Sequence, residues 1–181
     1  MILFLDFDGV LHPDAVYLRH SGQIELRAEG ALFMRADRLA AALQPHPDVR
    51  IVLSTSWVRN IGFHRARKAL PADLAVRVVG ATWHSAMGKG WPDYIAWDNQ
   101  SRYEQIMAYV SRLPGPVTWL AIDDDDKGWP DAQCRHLVHT NGMIGLSADD
   151  AQAGLMKALC SHSSSRNASA LCPANNVFRF T

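Results

Sequence analysis

Cysteine is scarce: the chain has three among 181 residues, at Cys134, Cys160 and Cys172. The number is odd and no pair is spaced C-x-x-C. That argues against a disulfide framework and a zinc ribbon, and it suits a reducing compartment, the cytoplasm. Net charge is missing too, since 18 basic side chains meet 18 acidic ones. A bulk electrostatic hold on nucleic acid or anionic membrane is therefore not indicated, although a local basic patch remains open. No apolar run approaches the ~20 residues of a membrane span. The opening MILFLDFDG lacks a basic stretch and is interrupted by Asp6, so it does not read as a signal peptide. There is no internal repeat. The pattern G-x4-G-K-[ST] is absent, so Gly88-Lys89-Gly90 is not a Walker loop. The eight histidines show no H-x3–5-H zinc spacing.

What is present is an alternation. Short continuous apolar runs occur at Ile2–Phe7, Val49–Leu53, Val76–Gly80, Val117–Ile122 and, more weakly, Leu137–His139. Continuous rather than alternating apolarity predicts strands buried on both faces, as in a parallel sheet. Between them lie amphipathic stretches that predict helices over Gly30–Leu43, Ile61–Leu70, Ser101–Leu113 and Ser147–Leu159. Ser147 is the expected N-cap of the last of these. The expected fold is α/β, a Rossmann-like three-layer sandwich around a central parallel sheet of about five strands, with the first strand in the middle. One domain is expected over residues 1–160. Within it, residues 12–30 carry Val16-Tyr17-Leu18 and Gln23-Ile24-Glu25-Leu26 about Ser21-Gly22, the pattern of a hairpin flap. Residues 82–100, with Trp83, Trp91 and Trp97, predict an ordered loop insertion. Neither segment is long enough for a large cap domain. Residues 161–181 are Ser-rich and read as a tail.

The polar residues of interest fall at strand ends, where open parallel sheets bind their ligands. The first strand runs into Asp6-Phe7-Asp8-Gly9, the second into Ser54-Thr55-Ser56-Trp57, and the fourth into Asp123-Asp124-Asp125-Asp126. Two acid clusters converging on one edge make an all-oxygen site, which favours Mg²⁺ over zinc or copper.

Asp6-Phe7-Asp8-Gly9-Val10 after a hydrophobic strand resembles the first motif of the haloacid dehalogenase (HAD) superfamily of phosphohydrolases. A Ser/Thr ending the second strand resembles its second motif. Arg102, opening the helix before the fourth strand, resembles its third, with Lys89 as the rival. Trp119-Leu120-Ala121-Ile122 followed by Asp123-Asp124 resembles its fourth. The likeness covers roughly residues 1–160. Leu53-Ser54-Thr55-Ser56-Trp57 and Gly80-Ala81-Thr82-Trp83 are also similar to a small HAD branch that includes domains of RNA-repair proteins.

The resemblance implies a phosphomonoester hydrolase with Asp6 as nucleophile and Asp8 as general acid and base. Gly9 would shape a backbone cradle for the phosphate. Thr55, or Ser54 one residue of register away, would bond a phosphoryl oxygen, and Arg102 or Lys89 would balance its charge. Mg²⁺ would be held by Asp6, the carbonyl of Asp8, and Asp124 supported by Asp123. A small cap implies an open site, suited to a small phosphorylated molecule or to a macromolecular end, including a nucleic-acid 3′ or 5′ end. Trp57 and Trp83 lie close enough to the strand ends to line a pocket. His12 reads as a turn residue, Asp125 and Asp126 as a charged turn, and the basic stretch Arg59–Lys68 as a solvated helix face. Two other classes compete with the enzyme. A receiver-like signalling module would place its acceptor Asp after the third strand, which here ends in Val79-Gly80-Ala81. A non-catalytic HAD fold would be expected to have lost Asp6 or Asp8.

Overall fold

The computed structural model describes residues 1–88 and 95–170, with side chains through residue 162. Strand β1 (Ile2–Leu5) is followed by a hairpin of β2 (Val16–Leu18) and β3 (Ile24–Leu26). Then come α1 (Ala36–Leu43), β4 (Arg50–Leu53), α2 (Ser56–Ile61), α3 (Phe63–Ala69), α4 (Ala72–Ala75) and β5 (Val78–Ala81). The chain continues through α5 (Arg102–Val110), β6 (Trp119–Asp123), β7 (Leu137–His139) and α6 (Asp149–Ala170). Among the described residues, no helix is long and apolar enough to cross a membrane.

Five strands form one parallel sheet in the order β5-β4-β1-β6-β7, with β1 at its centre. Side chains alternate along each strand, and the two resulting faces bury separate cores. Leu3 and Leu5 pack with Leu39 and Leu43 of α1, Leu74 of α4, and Leu155 and Leu159 of α6. Phe4 points the other way, into a smaller cluster with Val52, Ile106 of α5, Trp119 and Trp129. These two cores make the molecule three-layered, as the apolar runs imply.

Register sets the site. Leu5 pairs with Leu53 on one side and Ile122 on the other. The residues that come next, Asp6, Ser54 and Asp123, therefore stand side by side at the carboxyl edge of the sheet. The Asp6 N–H still bonds the Ile122 carbonyl at 3.1 Å, and the Ser54 N–H bonds Leu5 at 2.8 Å.

The hairpin is the expected flap, with Val16 opposite Leu26. Three boundaries differ from the sequence pattern. The helix expected from Gly30 starts at Ala36, because Gly30 (φ 112°) and Phe33 (φ 60°) bend the chain first. The helix expected over Ile61–Leu70 is α3, which starts at Phe63 because Gly62 adopts φ 88°; Ile61 ends a separate helix, α2, that the pattern does not show. Helix α6 starts at Asp149, since Ser147 closes a short 3-10 turn, and it runs on to Ala170. The first ten residues of the expected tail are thus helical; residues 171–181 lie outside the described residues.

Candidate active site at the carboxyl edge of the sheet

Asp6 is the first residue beyond the central strand and is 4% exposed. Its Oδ1 accepts the Phe7 N–H at 2.6 Å, and its Oδ2 accepts a hydrogen bond from Arg102 Nη2 at 3.0 Å. Burial pushes the Asp6 carboxyl up to about 7, and the Asp8 charge adds to that; Arg102, the Phe7 N–H and the Thr55 hydroxyl pull it down.

Arg102 gets there from the first turn of α5. Ser101 caps that helix: its hydroxyl accepts the Glu104 N–H, and the Glu104 carboxylate reaches back to the Ser101 N–H at 2.7 Å. A cation is disfavoured at a helix N-terminus by the macrodipole. Arg102 is compensated by what it meets. Besides Asp6, its Nε lies 3.0 Å from Asp123 Oδ2, an ion pair too poorly aligned to be a hydrogen bond. Burial alone would lower the guanidinium's pKa, but Asp6 and Asp123 together raise it.

Asp123, 1% exposed, ends β6. Its Oδ1 accepts the Asp125 N–H at 3.0 Å. Burial raises its carboxyl well above the usual range, the nearby Asp6 charge adding to the effect. Asp124 is half-buried and is pushed up to about 6 by burial and by the Asp14 charge. Asp125 and Asp126 form the turn: Asp125 Oδ1 accepts the Lys127 N–H at 3.1 Å, and the Asp126 carbonyl accepts from Trp129.

Ligand oxygens of Asp6, Asp123 and Asp124 lie within 4.8 Å of one another. Three carboxylates face one guanidinium, and Asp123 Oδ2 accepts no hydrogen bond among the described residues. Burial makes three ionised carboxyls beside one guanidinium costly, and all three titrate high as a result. The cluster could hold a hard divalent cation such as Mg²⁺, and its oxygen-only donor set fits that choice.

Gly9 turns the chain with φ +67°. A side chain there is also excluded by space, because a Cβ would fall 2.2 Å from the Asp124 carboxylate. The Gly9 carbonyl is fixed by the Thr140 hydroxyl at 2.9 Å, a contact from the end of β7 that nothing in the sequence indicates.

The residues after β4 divide by register. Thr55 is fully buried, faces Asp6 and caps α2, its Oγ1 accepting the Trp57 N–H at 3.4 Å. The Ser54 hydroxyl is buried and has no hydrogen-bond partner among the described residues. Lys89 lies outside the described residues.

Asp8 sits in other surroundings. Trp57 Nε1–H donates to both of its oxygens, at 3.0 and 3.2 Å. His12 Nε2 lies 2.9 Å from Asp8 Oδ1, while His12 Nδ1 accepts the Phe33 N–H at 3.2 Å. His12, expected as a turn residue, is instead fully buried between Phe33 and Trp57, with ring centroids 5.0 and 5.8 Å away. Its spacing four residues after Asp8 is the only sequence signal for this role. Asp8, Trp57, Ser56 and Asn60 share a cavity of ≈ 40 Å³ with Val16, Leu18 and Ile24 of the flap.

The rest of the edge is braced by residues 82–88 and 95–100 of the expected loop; its residues 89–94, Trp91 among them, lie outside the described residues. Trp83 and Trp97 pack edge-on at 5.5 Å, Arg59 pairs with Asp98 at 3.3 Å, and Gln105 of α5 donates to the Trp97 carbonyl at 3.0 Å. Trp83 thus anchors the loop, whereas Trp57 reaches the acids.

A family model described as the HAD domain in Swiss Army Knife RNA repair proteins matches residues 2–151. No curated protein matches the chain. The match spans the whole sheet, the flap and every acid described above, and the chain belongs to this RNA-repair branch of the haloacid dehalogenase superfamily.

Proposed function

We propose that the chain is a Mg²⁺-dependent phosphomonoester hydrolase working through a phosphoryl group carried on Asp6. Members of the superfamily are generally hydrolases, phosphatases among them. The observation that carries the reading is the environment of Asp6: a buried carboxylate at the central strand's end, bonded by Arg102 and set against Asp123 and Asp124. Three carboxyls beside one guanidinium also form an all-oxygen donor set that a bound cation would satisfy.

The steps follow from the residues. An Asp6 oxygen attacks phosphorus as the bond to the leaving oxygen breaks, and that oxygen takes a proton from Asp8. Water then attacks the phosphorus, gives its proton to Asp8, and Asp6 leaves as carboxylate. Thr55 and the N–H groups around Gly9 contact phosphoryl oxygens. Arg102 offsets their charge while holding Asp6 and Asp123 in place. Asp6, Asp123, Asp124 and the Asp8 carbonyl are the groups suited to Mg²⁺, which when bound neutralises charge between nucleophile and phosphate.

The substrate class we favour is a phosphorylated nucleic-acid end. The match to a domain of RNA-repair proteins supports it, and so does the small flap, which leaves room for a macromolecular leaving group. The test is phosphate release, with Mg²⁺, from 3′- and 5′-phosphorylated oligonucleotides, nucleotides, sugar phosphates and an aryl phosphate. Oligonucleotide ends are expected to be the preferred substrates. Release that survives Asp6→Asn, or no release from any of them, would overturn the enzyme reading.

A further inference from the structure

Two acids that stand two residues apart are held by unlike partners. Asp6 is held by a cation, Asp8 by two uncharged donors on separate elements. Asp8 Oδ1 receives both His12 Nε2 at 2.9 Å and Trp57 Nε1 at 3.0 Å, whereas Oδ2 receives only the longer branch of the indole bond, at 3.2 Å. The direction of the His12 bond is settled by its other nitrogen. Since Nδ1 accepts the Phe33 N–H, the ring proton is on Nε2, and Nε2 donates to Asp8.

This support is itself built with some strain. Phe33 is the one non-glycine residue with positive φ, at 60°, among the described residues. That conformation is costly for a bulky side chain and persists where the surroundings enforce it. Here it aims the Phe33 N–H at His12, and it seats the Phe33 ring edge-on against Phe7, His12 and Trp57, with centroids 5.2, 5.0 and 5.3 Å away. Trp57 is 4% exposed and His12 is fully buried, so neither donor is free to turn away.

We propose that His12 and Trp57 are positioning residues that pin Asp8 Oδ1 and leave Oδ2 as the oxygen that carries the proton. The proposal rests on the phosphohydrolase reading above. In the first step the proton on Oδ2 passes to the leaving oxygen as its bond to phosphorus breaks, leaving Asp8 as carboxylate. In the second step Oδ2 takes one proton from the attacking water, which restores the acid. His12 and Trp57 touch neither substrate nor phosphorus; they act through Asp8.

Leaving-group dependence separates this role from general disturbance. An aryl phosphate has a leaving group stable enough to depart without a proton, and an alkyl phosphate does not. Trp57→Phe keeps an aromatic ring, though a smaller one, and deletes the donor; His12→Leu deletes both ring nitrogens; His12→Gln places an amide N–H near the position of Nε2. Release of the first equivalent of alcohol should fall about thirtyfold for the alkyl phosphate in Trp57→Phe and His12→Leu, short of the roughly hundredfold or more that losing the acid itself would cost, and less than about threefold for the aryl phosphate. His12→Gln should recover most of the loss. Equal losses with both substrates, or no loss with either, would overturn the proposal.

A second readout does not need turnover. In the full chain, hydrogen exchange at the Trp57 indole N–H, followed by NMR, should be at least about tenfold slower than in Asp8→Ala. Equal exchange rates would show that the indole does not hold Asp8. If the wild-type chain transfers no phosphoryl group at all, the phosphohydrolase reading fails, and with it the proton role of Oδ2; the exchange experiment still decides the positioning.

Discussion

The floor and the roof of this site are built by different physics. The floor is electrostatic: Asp6, Asp123 and Asp124 leave the carboxyl edge around Arg102, and burial pushes all three carboxyls up. The roof is steric and hydrogen-bonded: Asp8 lies between His12 and Trp57, backed by Phe7 and Phe33, under an apolar flap edge. The difference suits the two tasks assigned to the two acids. A nucleophile that shares its site with phosphate needs its charge compensated. An acid that moves a proton needs a fixed direction.

The largest effect should come from the floor. Asp6→Asn is expected to lower Mg²⁺-dependent phosphate release by about a thousandfold or more while the indole exchange of Trp57 stays as in the wild type. A variant that loses both would mean that floor and roof are one unit.

Arg102→Leu comes next. It removes the cation that Asp6 and Asp123 share, leaving buried carboxylates unpaired. A loss of about 3 kcal/mol of stability at pH 7.5 is expected from denaturant unfolding, together with about a hundredfold loss of activity. The stability loss should shrink at pH 5. Without Arg102 the two carboxyls titrate still higher, so they are neutral at pH 5 and no longer need a partner. A loss that is the same at both pH values would contradict the electrostatic account of the floor.

The cation should show the same sign. Asp6 and Asp124 have folded-state values of about 7 and about 6, above their ordinary 3.8. A carboxyl raised in this way favours the folded state in its protonated form. Its contribution is complete below the ordinary value, falls from there as pH rises, and is gone above the folded values of about 6 and about 7. The metal-free protein should therefore lose stability over that window, and millimolar Mg²⁺ should restore it. The rise in Tm on adding Mg²⁺ is expected to be several degrees at pH 8 and close to zero at pH 5. An equal rise at both pH values would place binding elsewhere.

The smallest effect marks the periphery. Arg59 pairs with Asp98 at 3.3 Å, and both side chains are exposed. Arg59→Ala is expected to change stability by no more than about 1 kcal/mol and to leave the leaving-group dependence unchanged. A selective loss with oligonucleotide substrates would show instead that this helix face contacts the nucleic acid.

The floor could be read from the sequence because each of its acids ends an apolar run, and runs of that kind name their own strands. Once β1 is central, pairing alone brings Asp6 and Asp123 together. Arg102 was readable for a related reason, since the amphipathic stretch Ser101–Leu113 puts it at the opening of the helix that leads into the acidic strand. The roof was harder. His12 meets Asp8 through a turn rather than a period, and Phe33 reaches His12 from 21 residues away through a backbone conformation that no periodicity encodes. In the pattern, Leu32 and Phe33 look like part of a helical stripe; in the fold they belong to the bend that precedes α1. Trp57 was visible as a pocket residue, but that its indole would turn to Asp8 depends on the register of β4 and the cap at Thr55.

The most direct test of the central claim is to look for the covalent intermediate. Asp8→Asn should slow its hydrolysis while still letting an aryl phosphate react. After incubation with Mg²⁺ and that substrate, mass spectrometry of the digested protein is predicted to find a phosphoryl group on Asp6, and none in the double variant Asp6→Asn/Asp8→Asn. Phosphate on another residue, or phosphate release with no adduct on Asp6 under any quench, would contradict the account.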